Sequence, residues 1–281
     1  MSKIREIIKK NHIAIGVYEN MIHMKTYIEV WRRSAKRGRR FSEEDREKIQ
    51  RYKDIHKGER CFIVATGPSQ NASDLNMLKD EITFTVNFGY KAYQQTKWRA
   101  TYYVVMDDNA GNVLKEALSD KCEYKGVFCS PEIYDYIPSG KETMLVTDAK
   151  DLFMIDTVWN KLFPSLFPIA RFSEDISKKI YCGKTVIYSC IQIAAYMGFD
   201  EIYLTGVDCN YRGKKHHADI MPRETSEEER VRLEKAGDDM LKQFEALAEI
   251  LKKKNIHVYN ATRGGSLEAF PRVDLDKLFS T

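Results

Sequence analysis

The 281-residue chain has no long hydrophobic run. Without a stretch of ~18 apolar residues, no membrane-spanning helix is expected. Its start, MSKIREIIKK, lacks the apolar segment and small-residue cleavage site of a secretory leader. Cysteine is sparse: six residues, at 61, 122, 129, 182, 190 and 209, with no CxxC pair. In a chain of this length they read as free thiols in a reducing cytoplasm, not as a disulfide framework. Two phosphate-binding signatures are also missing. GxxxxGK(S/T) is absent, which removes the P-loop nucleotide hydrolases. GxGxxG is absent too, and Asn87 stands where a dinucleotide fold carries its ribose-binding acid, so an NAD enzyme is not expected. No nucleophile elbow or Ser-His-Asp order points to a hydrolase of that kind.

What is present begins with charge. The net charge of +4 is uneven: residues 1–40 hold 11 Lys/Arg against 3 Glu, so the remainder is acidic. The cluster Arg32, Arg33, Lys36, Arg37, Arg39 and Arg40 suits a solvated helix face, an anionic membrane surface or an acidic partner. No nucleic-acid-binding motif accompanies it, and no nucleic acid is expected. Residues 1–56 read as a basic helical extension, available for peripheral membrane contact or self-association. Within it Ser42 and Asp45 resemble a capping box, opening a helix through SEEDREKIQRYKDIH.

From Lys57 the texture changes to alternating strands and helices. RCFIVAT, EITFTV, TYYVVM, KGVFCS, TMLVTD, EIYLTGVD and IHVYNAT read as strands. ASDLNML, NVLKEAL and KTVIYSCIQIAAYMG read as helices, the last buried and ended by Gly198. Ser226 and Glu229 match a second capping box, opening a long helix to about Lys254. The alternation predicts an α/β, Rossmann-like domain over 57–281 with a largely parallel sheet and helices on both faces. The region 131–175, rich in proline and aromatics, reads as a lid.

The strand ends share a chemistry. The first gives Thr66, Gly67, Pro68 and Ser69, and the second gives Asn87. The third gives Asp107, Asp108 and Asn109. Two later strands give Gly206 with Asp208, and Asn260. In an open parallel sheet these carboxyl ends form one ligand-binding edge. Gly67 would let backbone approach a ligand closely, and the helix beyond it would offer N–H groups to a phosphate. Cys182 and Gly183, opening the buried helix, would do the same. Past Asp208 the loop CNYRGKKHHADIMP places His216 beside His217, with Asp219 near. Either histidine is a candidate general base near neutral pH. Tyr211, Arg212, Lys214 and Lys215 would steady a departing phosphate. The histidines also suit a metal together with Asp208, Cys209 or Asp219, but their spacing matches no established site. Asp107 and Asp108 suit Mg²⁺, and Asp107 suits a helix cap equally well.

Three segments together, FIVATGPSQNASDLNMLKDEITFTVNF, YCGKTVIYSCIQIAAYMGFDEIYLTGVDCNY and VYNATRGGSLEAF, resemble the family of MptE-like (6-hydroxymethylpterin diphosphokinase-like) proteins and flagellar Maf glycosyltransferases. The first two are also similar to bacterial sialyltransferases of glycosyltransferase family 42. The resemblance covers roughly residues 57–272. It implies a Rossmann-like fold with a nucleotide across the strand ends. It also implies a metal-independent transfer of a sugar, of nonulosonic type, from a CMP-linked donor to a surface glycan or protein hydroxyl. Gly67, Pro68, Ser69 and Asn87 match residues that hold the donor, and Asn109 corresponds to a second such asparagine. The small-hydroxyl pair that the sialyltransferases carry before the buried helix is Tyr181-Cys182 here. The MptE-like side of the resemblance implies instead a Mg²⁺- and ATP-dependent pyrophosphoryl transfer to a hydroxymethyl pterin. The expected location is the cytoplasm, free or at the inner face of the membrane.

Overall fold

A computed structural model describes residues 42–107, 110–119, 123–145, 170–211 and 216–280. Seven strands form one sheet: β1 (Arg60–Val64), β2 (Thr83–Val86), β3 (Tyr102–Val105), β4 (Gly126–Cys129), β5 (Met144–Leu145), β6 (Glu201–Thr205) and β7 (His257–Asn260). Each coincides with a strand expected from the sequence. Their order is β5-β4-β3-β2-β1-β6-β7, and every neighbouring pair is parallel. Parallel strands need crossovers that cover both faces of the sheet, which is why β2, β3 and β4 are buried at every position. The chain winds outward from β1 to β5 and then returns to β6 on the other side of β1. That reversal between β1 and β6 is where an open α/β sheet leaves a crevice beyond its carboxyl ends.

Among the described residues five α-helices flank the sheet: α1 (Glu43–Gln50), α2 (Ala72–Met77), α3 (Gly111–Ser119), α4 (Val186–Tyr196) and α5 (Glu227–Lys253). Helix α4 starts at the cap Thr185 and stops just before Gly198, whose φ of +88° suits a residue without Cβ. Its run is apolar on nearly all sides because it packs on β1, β2 and β3. Its buried Gln192 accepts from the Ser173 and Tyr181 N–H groups and donates to the Tyr181 and Tyr188 carbonyls. One side chain thus satisfies four backbone groups and pins residues 173–181 to the helix. On this face Phe84 stacks on Tyr102 at 4.8 Å. On the other, Phe62, Tyr203 and Tyr259 stack in a row at 5.0 and 5.2 Å.

The capping box at α1 forms in both directions, Ser42 N–H to Asp45 at 2.8 Å and Asp45 N–H to Ser42 Oγ at 3.2 Å. The helix is shorter than expected, ending at Gln50 instead of running through His56. The Asp54 and His56 N–H groups donate to the Tyr196 and Met197 carbonyls at the end of α4, where carbonyls lack helical partners. That capping bends the chain, with Asp54 at φ +57°. Ile49 is fully buried, Tyr52 meets Phe128 edge-on at 5.3 Å, and His56 stacks on Phe199 at 4.5 Å.

The second capping box forms only in part. Ser226 Oγ accepts the Glu229 N–H at 3.2 Å, but the Glu229 carboxylate turns to Arg223, 2.6 Å away. Asn87–Gln94, given no assignment from the sequence beyond Asn87 as a strand end, form a 3₁₀ helix. Of the expected lid, 131–145 and 170–175 carry buried residues, including Ile133, Ala170 and Ser173. Its remainder and the basic cluster at 32–40 lie outside the described residues. Among the described residues no helix is long and apolar enough to cross a membrane.

Candidate functional site at the strand reversal

Beyond β1, residues 66–69 are half-exposed, although every residue of 61–65 is buried. The corner is therefore open to solvent at the end of a buried strand. Thr66 ties it to the loop after β6. Its carbonyl accepts the Ala218 N–H at 2.9 Å, and its hydroxyl lies 3.2 Å from His217 Nδ1. Gly67 donates its N–H to the Gly206 carbonyl at 3.0 Å. A Cβ on Gly67 would stand 2.1 Å from Asp208 Oδ2 and 2.3 Å from that carbonyl. The close approach that requires glycine here is thus made by the chain's own Gly206 and Asp208.

Asp208 Oδ2 accepts the Ser69 N–H at 3.3 Å and the Ser69 hydroxyl at 2.9 Å. Burial raises its pKa above the ordinary value, and the Ser69 bonds offset part of that rise. The Ser69 N–H is thus taken by a carboxylate within the fold, and at the helix beyond it Asn71 Oδ1 accepts the Asp74 N–H at 2.9 Å. From the other side, Ser266 N–H donates to the Asp208 carbonyl at 2.7 Å, and Gly265, at φ +76°, lies against its backbone. Asn260 organises this loop: its amide donates to the Leu267 carbonyl at 2.7 Å, and its Oδ1 accepts the Thr262 N–H at 3.0 Å. Both polar ends of Asn260 are used within the fold, which differs from the ligand contact expected of it.

The two histidines face different ways. His216 is buried and meets the Tyr211 ring edge-on at 6.0 Å, while Tyr211 packs on Gly237 of α5. Burial pushes the Tyr211 hydroxyl well up, so it remains protonated at neutral pH. His217 is half-exposed and faces the corner. Its Nε2 lies 3.3 Å from Arg223 Nη1. An arginine can only donate, so Nε2 accepts and the ring proton sits on Nδ1, directed at Thr66. Burial first, and then the neighbouring guanidinium, lower the His217 pKa to about 4. The ring is neutral at physiological pH.

Arg223 and Lys91 lie on the Phe88 ring, each 4.9 Å from its centroid, and the His217 ring is 6.5 Å from it. Phe88 follows Asn87, which holds φ +45° and accepts the Tyr103 hydroxyl on its carbonyl at 2.7 Å. The Asn87 side-chain oxygen is buried without a hydrogen-bond partner among the described residues. Phe88, Lys91 and Arg223 were not singled out from the sequence, and Glu229 was read only as part of a helix cap. Aromatic and basic residues in loops are too common to mark a site, and Glu229 carried a competing capping reading.

Thr66, Ser69, Asn87, Asp208 and His217 thus gather around the reversal between β1 and β6. Pro68 belongs to the same corner, and Gly206, at φ +69°, forms its β6 wall. Gly183 packs against the Tyr188 ring near the start of α4, with Cys182 beside it. Asp108, Asn109, Arg212, Lys214 and Lys215 lie outside the described residues. The cysteines at 61, 129, 182, 190 and 209 are free thiols, and burial pushes Cys209 to about 12. Cys122 is not described.

Order, register and crevice define a doubly wound, Rossmann-like α/β protein. The family model described as 6-hydroxymethylpterin diphosphokinase MptE-like matches residues 39–214, more than half of the chain, and the chain belongs to that family. No curated protein matches. A solved structure titled as a Maf glycosyltransferase from Magnetospirillum magneticum AMB-1 superposes with a TM-score of 0.47 at 15% identity. The match covers 83% of this chain and 38% of that one, so the chain spans less than half of that protein's length.

Proposed function

We propose that the chain is a glycosyltransferase that moves a sugar of nonulosonic type from a CMP-linked donor to a hydroxyl of a surface glycan or protein, without a metal. The observation that carries this reading is His217. It is a neutral imidazole at the strand reversal, oriented by Thr66 and flanked by Arg223. Such a ring can take the acceptor's proton at Nε2 once the arginine N–H leaves it. Arg223 and Lys91 supply positive charge for the departing phosphate. The donor's phosphate then faces Arg223, and its neutral hydroxyl or base edge faces Asp208 and Ser69, because a phosphate at Ser69 would meet a carboxylate. Pairing of the phosphate with Arg223 withdraws one cause of the low His217 pKa, so the base strengthens when donor is bound. Tyr211, three residues after Asp208, would help steady that phosphate. The location that goes with this activity is the cytoplasm or the inner membrane face, with residues 1–56 as a contact to anionic lipid or to a second copy.

The test is thermal shift with CMP, UDP, ATP and GDP in the absence of Mg²⁺. CMP is expected to raise the melting temperature, and His217→Gln to retain that shift while abolishing sugar transfer. No response to any pyrimidine nucleotide overturns the reading.

A second reading is the pyrophosphoryl transfer in the family's description, favoured by the half-buried Asp208 carboxylate. Asp107, Asp108 or Asp208 would then supply a carboxylate for Mg²⁺, which would offset the charge of the ATP phosphates. Release of AMP that requires both Mg²⁺ and a hydroxymethyl pterin would establish it.

A further inference from the structure

A cleft of about 390 Å³ opens beside the site, lined by Tyr90, Lys91, Gln94, Glu116, Ser119 and Pro222. Its walls are the 3₁₀ helix Asn87–Gln94 and helix α3. We propose that this cleft, beside the His217–Arg223 pair, holds the acceptor and that the acceptor is an oligosaccharide. The proposal rests on the transferase reading above.

Continuity is the first reason. Lys91 Nζ donates to the Pro222 carbonyl at 3.0 Å, and both residues line the cleft. Lys91 and Arg223 share the Phe88 ring, and Arg223 reaches His217. The cleft wall at Lys91 and Pro222 is therefore linked to the candidate base through Phe88 and Arg223. Chemistry is the second reason. Tyr90 donates its hydroxyl to Glu116 at 2.5 Å, forming a polar floor, and Gln94, Glu116 and Ser119 are exposed along the rim. The cleft falls within the ~300–1,000 Å³ typical of ligand sites, but its walls are hydroxyl, amide and carboxylate groups. A lipid tail would find little apolar surface there. A polyanion would meet one lysine offset by one glutamate. An extended peptide binds best along an open strand edge, whereas helical walls have their backbone groups already bonded. A neutral, polyhydroxylated chain matches what the walls offer.

The experiment is binding of the full chain to an array of neutral oligosaccharides and Ser/Thr-containing peptides, read beside the CMP thermal shift. Ser119→Trp fills the cleft from an exposed helix end, and Gln94→Ala removes one rim amide. Wild type is expected to retain at least one glycan, with Ser119→Trp binding it at least tenfold more weakly and the CMP shift unchanged. If Ser119→Trp fails to fold, a weakened Gln94→Ala decides in favour, and unaltered binding by that variant decides against. Absence of glycan binding by wild type, equal binding by Ser119→Trp, or retention of peptides in place of glycans overturns the proposal. Loss of glycan binding in Ser119→Trp without any CMP shift in wild type keeps the cleft and removes the donor assignment.

Discussion

Oδ2 of Asp208 takes both the N–H and the hydroxyl of Ser69, a residue 139 positions earlier in the chain. This one oxygen joins the loop after β6 to the loop after β1. It also keeps a carboxylate where burial opposes its charge.

Asp208→Asn removes that charge and retains an oxygen able to accept both Ser69 bonds. The native pKa is raised, so the unfolded carboxyl ionises first as pH rises above 3.8, and the cost to folding persists at neutral pH. The variant is expected to melt a few degrees higher at pH 7, a gain of no more than about 1 kcal/mol after solvent screening. Nucleotide binding should weaken at the same time. Calorimetry and the nucleotide thermal shift check the two effects, and an unchanged melting point at pH 7 would show that the buried charge costs nothing.

Gly67→Ala is expected to destabilise the fold by ~1–3 kcal/mol, the range for overpacking. The new methyl meets the Gly206 backbone, which cannot rotate away, as well as Asp208 Oδ2. Chemical denaturation measures this loss. Gly264→Ala, where nothing lies within 4 Å, is strained only by its φ of +83° and is the control for backbone strain alone.

The imidazole of His217 titrates near pH 4 in the folded chain against 6.5 when free. Below pH 6.5 the unfolded ring binds a proton that the folded ring refuses. Stability contributed by this site is therefore complete above 6.5 and lost as pH falls toward 4, by no more than about 2 kcal/mol once screening is allowed for. His217→Gln should flatten that limb. Arg223→Ala should raise the ring's pKa, read by NMR of its ring protons, and Arg223→Lys should raise it less. A ring that still titrates near 4 in Arg223→Ala would assign the whole shift to burial.

Arg263 bonds Asp74 through Nε at 2.8 Å and grips Asp276 with its two terminal nitrogens. Asp74 is almost fully buried in the first turn of α2. Arg263→Ala leaves that carboxylate without a counter-charge among the described residues, held by the Asn71 amide at 2.9 Å, and is expected to cost ~3 kcal/mol. Asp276→Asn leaves Asp74 paired and should cost far less, since Asp276 is exposed and its charge is screened by solvent. Urea melts of the two variants distinguish these outcomes.

The strands were legible because buried parallel strands leave apolar runs such as RCFIV and TFTV, bounded by turn residues. Their order was less so, since nothing in EIYLT states that it lies beside RCFIV. The α1 start was readable from Ser42 and Asp45, whose signal is local. Its end was not, because the α4 carbonyls that bend Asp54 and His56 are distant in sequence. Thr66 and Asp208 stood out as polar strand ends, and the histidine pair as adjacent bases in the loop beyond Asp208. Which histidine faces the corner depended on the Thr66 hydroxyl and the Phe88 ring, and spacing carries no trace of either. Gly67 was marked as a place of close approach, and the groups that approach it within the fold, Asp208 and Gly206, lie too far along the chain for spacing to name them.

The central pairing of β1 with β6 also orders events during synthesis. β1 leaves the ribosome early and can pair with β2 soon after, but its other edge waits for residues 201–205. Closing so long a loop is slow, and contacts of this range form late in folding. The Thr66–Ser69 corner thus has no Asp208 or His217 opposite it until most of the chain has been made. A nascent or truncated chain that stops before β6 therefore has only one wall of this corner, and the Ser69–Asp208 bonds report a completed fold.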